Sequence, residues 1–181
     1  MLRIGVISDT HGLLRPEVEQ RLAGVDRIIH AGDIGRPEVI DRLRRIAPVI
    51  AIRGNVDKGP WAENYPETET VSLGGHAIHI LHDIHDLLLD PVSRGIDVVI
   101  SGHSHKPLIE TRGGVLYLNP GSAGPRRFNL PITLATLDLS ASGPRPLLHH
   151  LTVPDRRVSS EGIRSERRRL RTPRSSRHPP N

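Results

Sequence analysis

Residues 2–12 read LRIGVISDTHG, residues 26–33 read DRIIHAGD and residues 48–55 read PVIAIRGN. Each is a short apolar run that stops at a small, polar cluster, as a buried strand does when it hands side chains to a loop. The segments between them have helical signals. Pro16 suits a first turn, Val18 and Leu22 share a face and Gly24 closes the segment. Pro37 opens a second helix with Val39, Ile40, Leu43, Ile46 and Ala47 on one stripe. Strands over 2–8, 26–31 and 48–53 with helices between them form a βαβαβ unit, which predicts parallel strands joined by helical crossovers. Such sheets place their sites in the loops at the carboxyl ends of the strands, where Asp9, Asp33 and Asn55 fall.

From Thr68 onward the pattern changes to short strands, expected over 68–73, 76–81, 97–101, 107–112, 115–118, 131–139 and 145–153. Gly74-Gly75 and Gly113-Gly114 separate strand candidates by two residues, the spacing of a tight hairpin. One short helix is expected over Asp90 to Arg94, with Asp90 as N-cap and Pro91 at the first position.

Composition bounds the chemistry. At 181 residues the chain fits one globular domain able to bury a core without covalent staples. It has no cysteine, so thiolate metal sites and cysteine nucleophiles are excluded and a metal would have to be held by His, Asp, Glu or Asn. No apolar run is long enough for a membrane span, and Met1 leads directly into Leu2–Ile7 without a secretory h-region, so a cytoplasmic protein is expected. The formal charge of +5 is unevenly placed. Residues 155–181 hold nine arginines against Asp155, Glu161 and Glu166, a net +6, while residues 1–154 carry 16 basic and 17 acidic groups, a net −1. A boundary near Pro154 is expected, separating a domain over 1–154 from an Arg/Ser/Pro-rich tail over 155–181 whose composition does not favour an ordered core. The tail reads either as an arm for phosphate backbones and acidic partners or as a solvated segment. The domain itself gives no indication of nucleic-acid binding, and its oligomeric state is not encoded in any motif.

The ends of the apolar runs present, in order, Asp9-Thr10-His11, Gly32-Asp33, Gly54-Asn55, His82 and His103-Ser104-His105. Carboxylates, imidazoles and one amide oxygen without a thiol suit Mn, Zn, Fe and similar ions. Glycines at 12, 32, 54 and 102 suit loops where the backbone turns sharply or approaches another group closely.

On SDTHG (8–12), HAGD (30–33), RGN (53–55), LHD (81–83), GHSH (102–105) and NPGS (119–122), the chain resembles the calcineurin-like metallophosphoesterase superfamily, in its small bacterial and archaeal phosphodiesterase branch. The resemblance spans residues 1 to about 150. It implies an α/β sandwich of two mixed β-sheets packed face to face with helices outside, a four-layer fold. It also implies two divalent metal ions, manganese foremost with Ni, Zn, Co, Fe or Mg as alternatives. Asp9, His11, Asp33 and His105 would hold one, and Asp33, Asn55, His82 and His103 the other, with Asp33 bridging. Asp33, Asn55 and His103 form the expected catalytic set. The implied activity is hydrolysis of phosphodiesters by a hydroxide held between the two ions. A retromer trafficking subunit has the same fold and uses it for protein contacts, so a metal-binding scaffold is the alternative.

Two departures from the family pattern stand out. Val56 occupies the position where many larger members carry a His that protonates the leaving group. The usual His-Gly-His cluster reads His82-Asp83-Ile84-His85 here, with His82 the expected ligand. Asp57 is expected to brace the Asn55 turn, and His30 to sit behind the site. Arg126 and Arg127 could meet a substrate phosphate or lie in a solvated loop, and His76, His79, His149 and His150 are expected to be structural or exposed.

Overall fold

A computed structural model describes residues 1–127 and 129–152. The boundary expected near Pro154 and the arginine-rich segment 155–181 lie outside the described residues.

The predicted βαβαβ unit forms as β1 (Leu2–Ile7), α1 (Pro16–Leu22), β2 (Arg27–Ala31), α2 (Pro37–Arg44) and β3 (Val49–Ile52). Strand β1 runs parallel to β2, and β2 parallel to β3. Both helices start at proline, whose fixed φ and missing N–H suit the first turn. They bury Val18 and Leu22 from α1 and Val39, Ile40 and Leu43 from α2 against one face of the sheet. Arg42 of α2 donates two bonds to the Glu19 carboxylate of α1, at 2.7 and 3.0 Å, tying the crossovers together.

The second half supplies β4 (Thr68–Leu73), β5 (His76–Leu81), β6 (Val98–Ile100), β7 (Leu108–Arg112), β8 (Val115–Asn119), β9 (Thr133–Ser140) and β10 (Gly143–His150). Strands β9 and β10 return to the first sheet, giving the order β10-β9-β1-β2-β3, while the second sheet runs β4-β5-β6-β8-β7. Both sheets are mixed. In the second, β5, β6 and β8 are parallel and the two outer strands antiparallel to their neighbours. Both glycine pairs turn hairpins at positive φ, at 58° and 84° for Gly74 and Gly75 and at 57° and 85° for Gly113 and Gly114. Two successive positive-φ residues make the turn whose twist matches the strands it joins.

Ile4, Val6, Ile29, Ile52, Leu137 and Leu139 of the first sheet meet Ile78, Ile80, Val98, Ile100, Leu116 and Leu118 of the second in a dry layer. Side chains alternate between faces, so both faces of the central strands need covering. The helices cover the first sheet. The segment following β5 covers the second, with Ile84, Leu87, Leu89 and Ile96 over Leu81, Val99 and Val115.

The expected helix over 90–94 is instead a hydrogen-bonded turn. Asp90 does cap it, its carboxylate accepting from Val92 N–H and Ser93 N–H at 3.3 Å each. Gly95 at a φ of 65° then reverses the backbone after a single turn, too short to propagate. Among the described residues no helix is long and apolar enough to cross a membrane.

Candidate metal centre

The carboxyl ends of β1, β2, β3, β5 and β6 converge on one edge of the sandwich, and the loops that leave them are stitched together through their backbones. Asp9 N–H donates to Gly32 O at 3.0 Å, His11 N–H to Asp33 O at 2.9 Å and Gly102 N–H to His82 O at 2.9 Å. Asp9, His11, Asp33, His103 and His105 have φ between 46° and 63°, and they are the only non-glycine residues at positive φ among the described residues. The left-handed region costs an L-residue about 1 kcal/mol or more, so the strain falls on candidate ligands rather than on ordinary turns.

Within the site, Asp33 faces two ways. Its Oδ2 lies 3.7 Å from His11 Nε2 and its Oδ1 3.3 Å from His82 Nε2. Asp9 Oδ1 lies 3.3 Å from His105 Nε2 and 4.0 Å from His11 Nε2, and the two imidazoles approach nitrogen to nitrogen at 3.2 Å. Asp9, His11 and His105 thus form one converging group, and Asp9, Asp33 and His82 another. His103 and Asn55 complete the second side. His103 Nδ1 is 3.1 Å from Asn55 Oδ1, and its ring packs edge-on against His82 with centroids 5.2 Å apart. All seven sequence-predicted residues are therefore brought together. His85, the alternative to His82, is exposed and pairs with Asp83 instead.

The donor set fits a cation. Asp9 is fully buried, yet neither carboxylate oxygen has a hydrogen-bond donor, and His82 Nε2 is likewise buried without one. A buried carboxylate with no donor is costly unless something positive reaches it. His82 Nδ1 lies 2.8 Å from the Ala31 carbonyl, which can only accept, so the neutral ring carries its proton on Nδ1 and leaves Nε2 as the nitrogen that can bind a cation. Burial, reinforced by the charge of Arg127, lowers the His11 pKa against the raising effect of Asp33 and Asp9. Burial alone would lower His82, but the Asp33 carboxylate and the Ala31 carbonyl outweigh it and hold His82 above its ordinary value. Asp33 shows the reciprocal effect: burial pushes it up, and His82 with the Val56 N–H holds it below its usual range.

Supporting residues keep this geometry. Asp57 is the expected brace: its carboxylate accepts from the N–H groups of Ile34, Gly35 and Gly54 at 3.0, 2.7 and 2.8 Å. The NPGS segment, quoted in the sequence but given no role there, is a clamp. Asn119 donates to Gly102 O at 2.6 Å, and Ser122 donates to Asp9 O at 3.0 Å, fixing both ends of the site from one loop. His30 lies behind the site with Nε2 2.9 Å from Thr10 Oγ1. Thr10 gives its own proton to Ile34 O at 3.0 Å, so it accepts from His30. Three other histidines bond as structural groups, His76 with the Ser140 carbonyl, His79 with Thr70 and His149 with Thr136, and His150 is exposed.

Gly54 is required by close approach. A Cβ there would run into the Asp33 carboxylate and backbone, which the Asp57 brace cannot release. Gly54→Ala is expected to destabilise the fold by about 2–4 kcal/mol, read as a drop in urea midpoint.

Burial holds the His30 pKa down to about 3. The free side chain titrates near 6.5, so between these values the unfolded chain binds a proton that the native state refuses, and stability falls as pH falls. At pH 5 this group is expected to cost about 2 kcal/mol relative to pH 7. Urea unfolding of metal-free protein should show that much less acid sensitivity in His30→Gln than in wild type, and parallel pH profiles would refute the assignment.

A two-sheet sandwich gathers buried Asp and His at its strand ends, with His82 Nε2 turned inward, and this donor set suits a divalent cation. The chain belongs to the calcineurin-like phosphoesterase superfamily, whose domain model matches residues 2–142. A probable metallophosphoesterase of Methanocaldococcus jannaschii is 38% identical over 132 residues, covering 66% of this chain and 67% of that protein. A structure described as a novel archaeal phosphodiesterase superposes with a TM-score of 0.68 at 27% identity, covering 82% of this chain and all of that one. Entamoeba histolytica Vps29, crystallised with Zn, shares the fold with a TM-score of 0.64 at 24% identity, over 82% of this chain and 99% of that one. The chain is thus a phosphoesterase by family.

Proposed function

We propose that the protein hydrolyses phosphodiesters at a centre of two divalent cations, with manganese the first candidate. Asp9, His11, Asp33 and His105 would hold one ion, and Asp33, Asn55, His82 and His103 the other. Bound there, the ions would supply an acidified water as nucleophile and would neutralise charge on the phosphoryl oxygens as that water attacks phosphorus. The chain's own residues preorganise that chemistry. Asp33 stands between the two imidazole sets and would keep the ions at a fixed spacing. His82, held by Ala31 O, offers Nε2 without a rotamer search. The single observation that carries the reading is the buried Asp9 carboxylate, without a donor and ringed by ligand-type side chains.

The likeness to Vps29 supports a scaffold reading on fold alone. The complete ligand set favours hydrolysis, because a protein-contact surface has no need of Asp and His side chains converging from strained backbone. Metal-stripped protein given back Mn, Ni, Co, Zn or Mg should hydrolyse bis-p-nitrophenyl phosphate. Inactivity with every metal would instead leave the scaffold reading.

A further inference from the structure

The cleft beside Asn55, His82 and His103 is also lined by Asp83, His85 and Asp86. Breaking a phosphoester bond leaves an oxygen that needs a proton unless its anion is already stable. Val56, following Asn55, has none to give, and His82 and His103 belong to the proposed ligand set. His85 is the remaining imidazole of this cleft.

His85 is firmly placed for an exposed side chain. Asp83 N-caps the single turn Ile84–Asp86, and its Oδ1 accepts from both His85 N–H at 3.0 Å and His85 Nδ1 at 2.8 Å. The other carboxylate oxygen lies 3.5 Å from His103 Nε2, so one side chain ties His85 to the centre. Asp83 Oδ1 already accepts the His85 N–H, so it faces the ring as an acceptor. The neutral His85 ring therefore carries its proton on Nδ1, and protonation adds the second at Nε2, which has no protein partner among the described residues. The ring is 88% exposed, open to a ligand in the cleft.

We propose that His85, oriented by Asp83, is the acid that protonates the leaving oxygen of a phosphodiester bound at this centre, which extends the substrate class to esters of unactivated alcohols. The inference rests on the hydrolytic reading above. As the bond from phosphorus to the leaving oxygen breaks, its electron pair stays on that oxygen, which takes the Nε2 proton. The attacking water releases a proton to solvent, and neutral His85 is recharged from solvent, so protons and bonds balance.

Methyl p-nitrophenyl phosphate and methyl phenyl phosphate share a phosphoryl group and differ in how much the leaving oxygen needs a proton. With Mn-loaded protein, His85→Gln should leave p-nitrophenol release within about threefold of wild type and cut phenol release by about 10²-fold. Asp83→Asn should show a partial loss of the same selectivity. Metal affinity and stoichiometry of His85→Gln, measured by calorimetry, should match wild type. In metal-free protein, long-range 1H–15N spectra should show neutral His85 protonated at Nδ1. Equal losses on both esters, weakened metal binding in His85→Gln, or an Nε2-protonated neutral ring would each overturn the proposal. A wild type inactive on both esters with every metal would overturn the hydrolytic reading and this proposal with it, whereas an active wild type unaffected by His85→Gln overturns this proposal alone.

Discussion

Asp33→Ala is expected to reduce metal-restored hydrolysis of bis-p-nitrophenyl phosphate by about 10³-fold or more, since it removes a group meant to serve both ions. The geometry gives the reason. One carboxylate oxygen lies 3.3 Å from His82 Nε2 and the other 3.7 Å from His11 Nε2, so each oxygen of Asp33 faces a different imidazole set. His103→Ala should abolish turnover as well, but it removes only one group from the Asn55 side. Calorimetry should separate the two variants: under the proposed assignment His103→Ala should keep the ion on the Asp9 side, whereas Asp33→Ala should weaken both. Two tightly bound ions in Asp33→Ala, with turnover near wild type, would show that the bridge is misassigned. Asp33 also accepts the Val56 N–H at 3.0 Å, so unfolding temperatures must accompany the rates.

The same residues show what was legible in the sequence. The βαβαβ unit could be read because its strands are apolar runs that end in small polar clusters, and its helices bury one stripe each. Glycine pairs marked two hairpins because only glycine takes two successive positive-φ positions without cost. Strand order in the second sheet was not legible. Strand β8 lies between β6 and β7, and nothing local in Val98–Ile100 or Val115–Asn119 encodes that parallel pairing. The turn over 90–94 misled because its cap signal is real while its length is decided by Gly95.

The site divides in the same way. Candidate ligands are visible because each follows a strand and carries a side chain with metal chemistry. Their supports are not, because clamping is a relation between distant segments: Ser122 reaches Asp9 across 113 positions and Asn119 reaches Gly102 across 17. Asp83 sat within the quoted LHD motif, but its contact with His103 is tertiary, and only the turn Ile84–Asp86 brings His85 to the same carboxylate.

Asp9→Asn should produce opposite effects on stability and on function. In metal-free protein the Asp9 carboxylate is fully buried, with both oxygens lacking donors, a state that removes hydration and gives back no bond. Asparagine keeps the shape, carries no charge and tolerates the φ of 55° at this position at least as well as aspartate. Metal-free Asp9→Asn is therefore expected to be more stable than wild type by about 1–3 kcal/mol, a rise in Tm of several degrees for a chain of this size. Saturating metal reverses the ranking. An ion that binds only the native state adds stability as RT ln(1 + [L]/Kd), and wild type should gain most of it because the charge opposed in its absence is the one that holds the ion. The variant should show a small metal-induced shift in Tm and turnover lowered by about 10²-fold or more. Thermal melts of both proteins with chelator and with Mn check the prediction together. A variant less stable than wild type in chelator would mean that protein groups alone already satisfy Asp9. An equal metal-induced shift in both proteins would place the ion elsewhere. The expected crossing of the two rankings would mean that this buried carboxylate is kept for the cation it binds and lowers the stability of the metal-free fold.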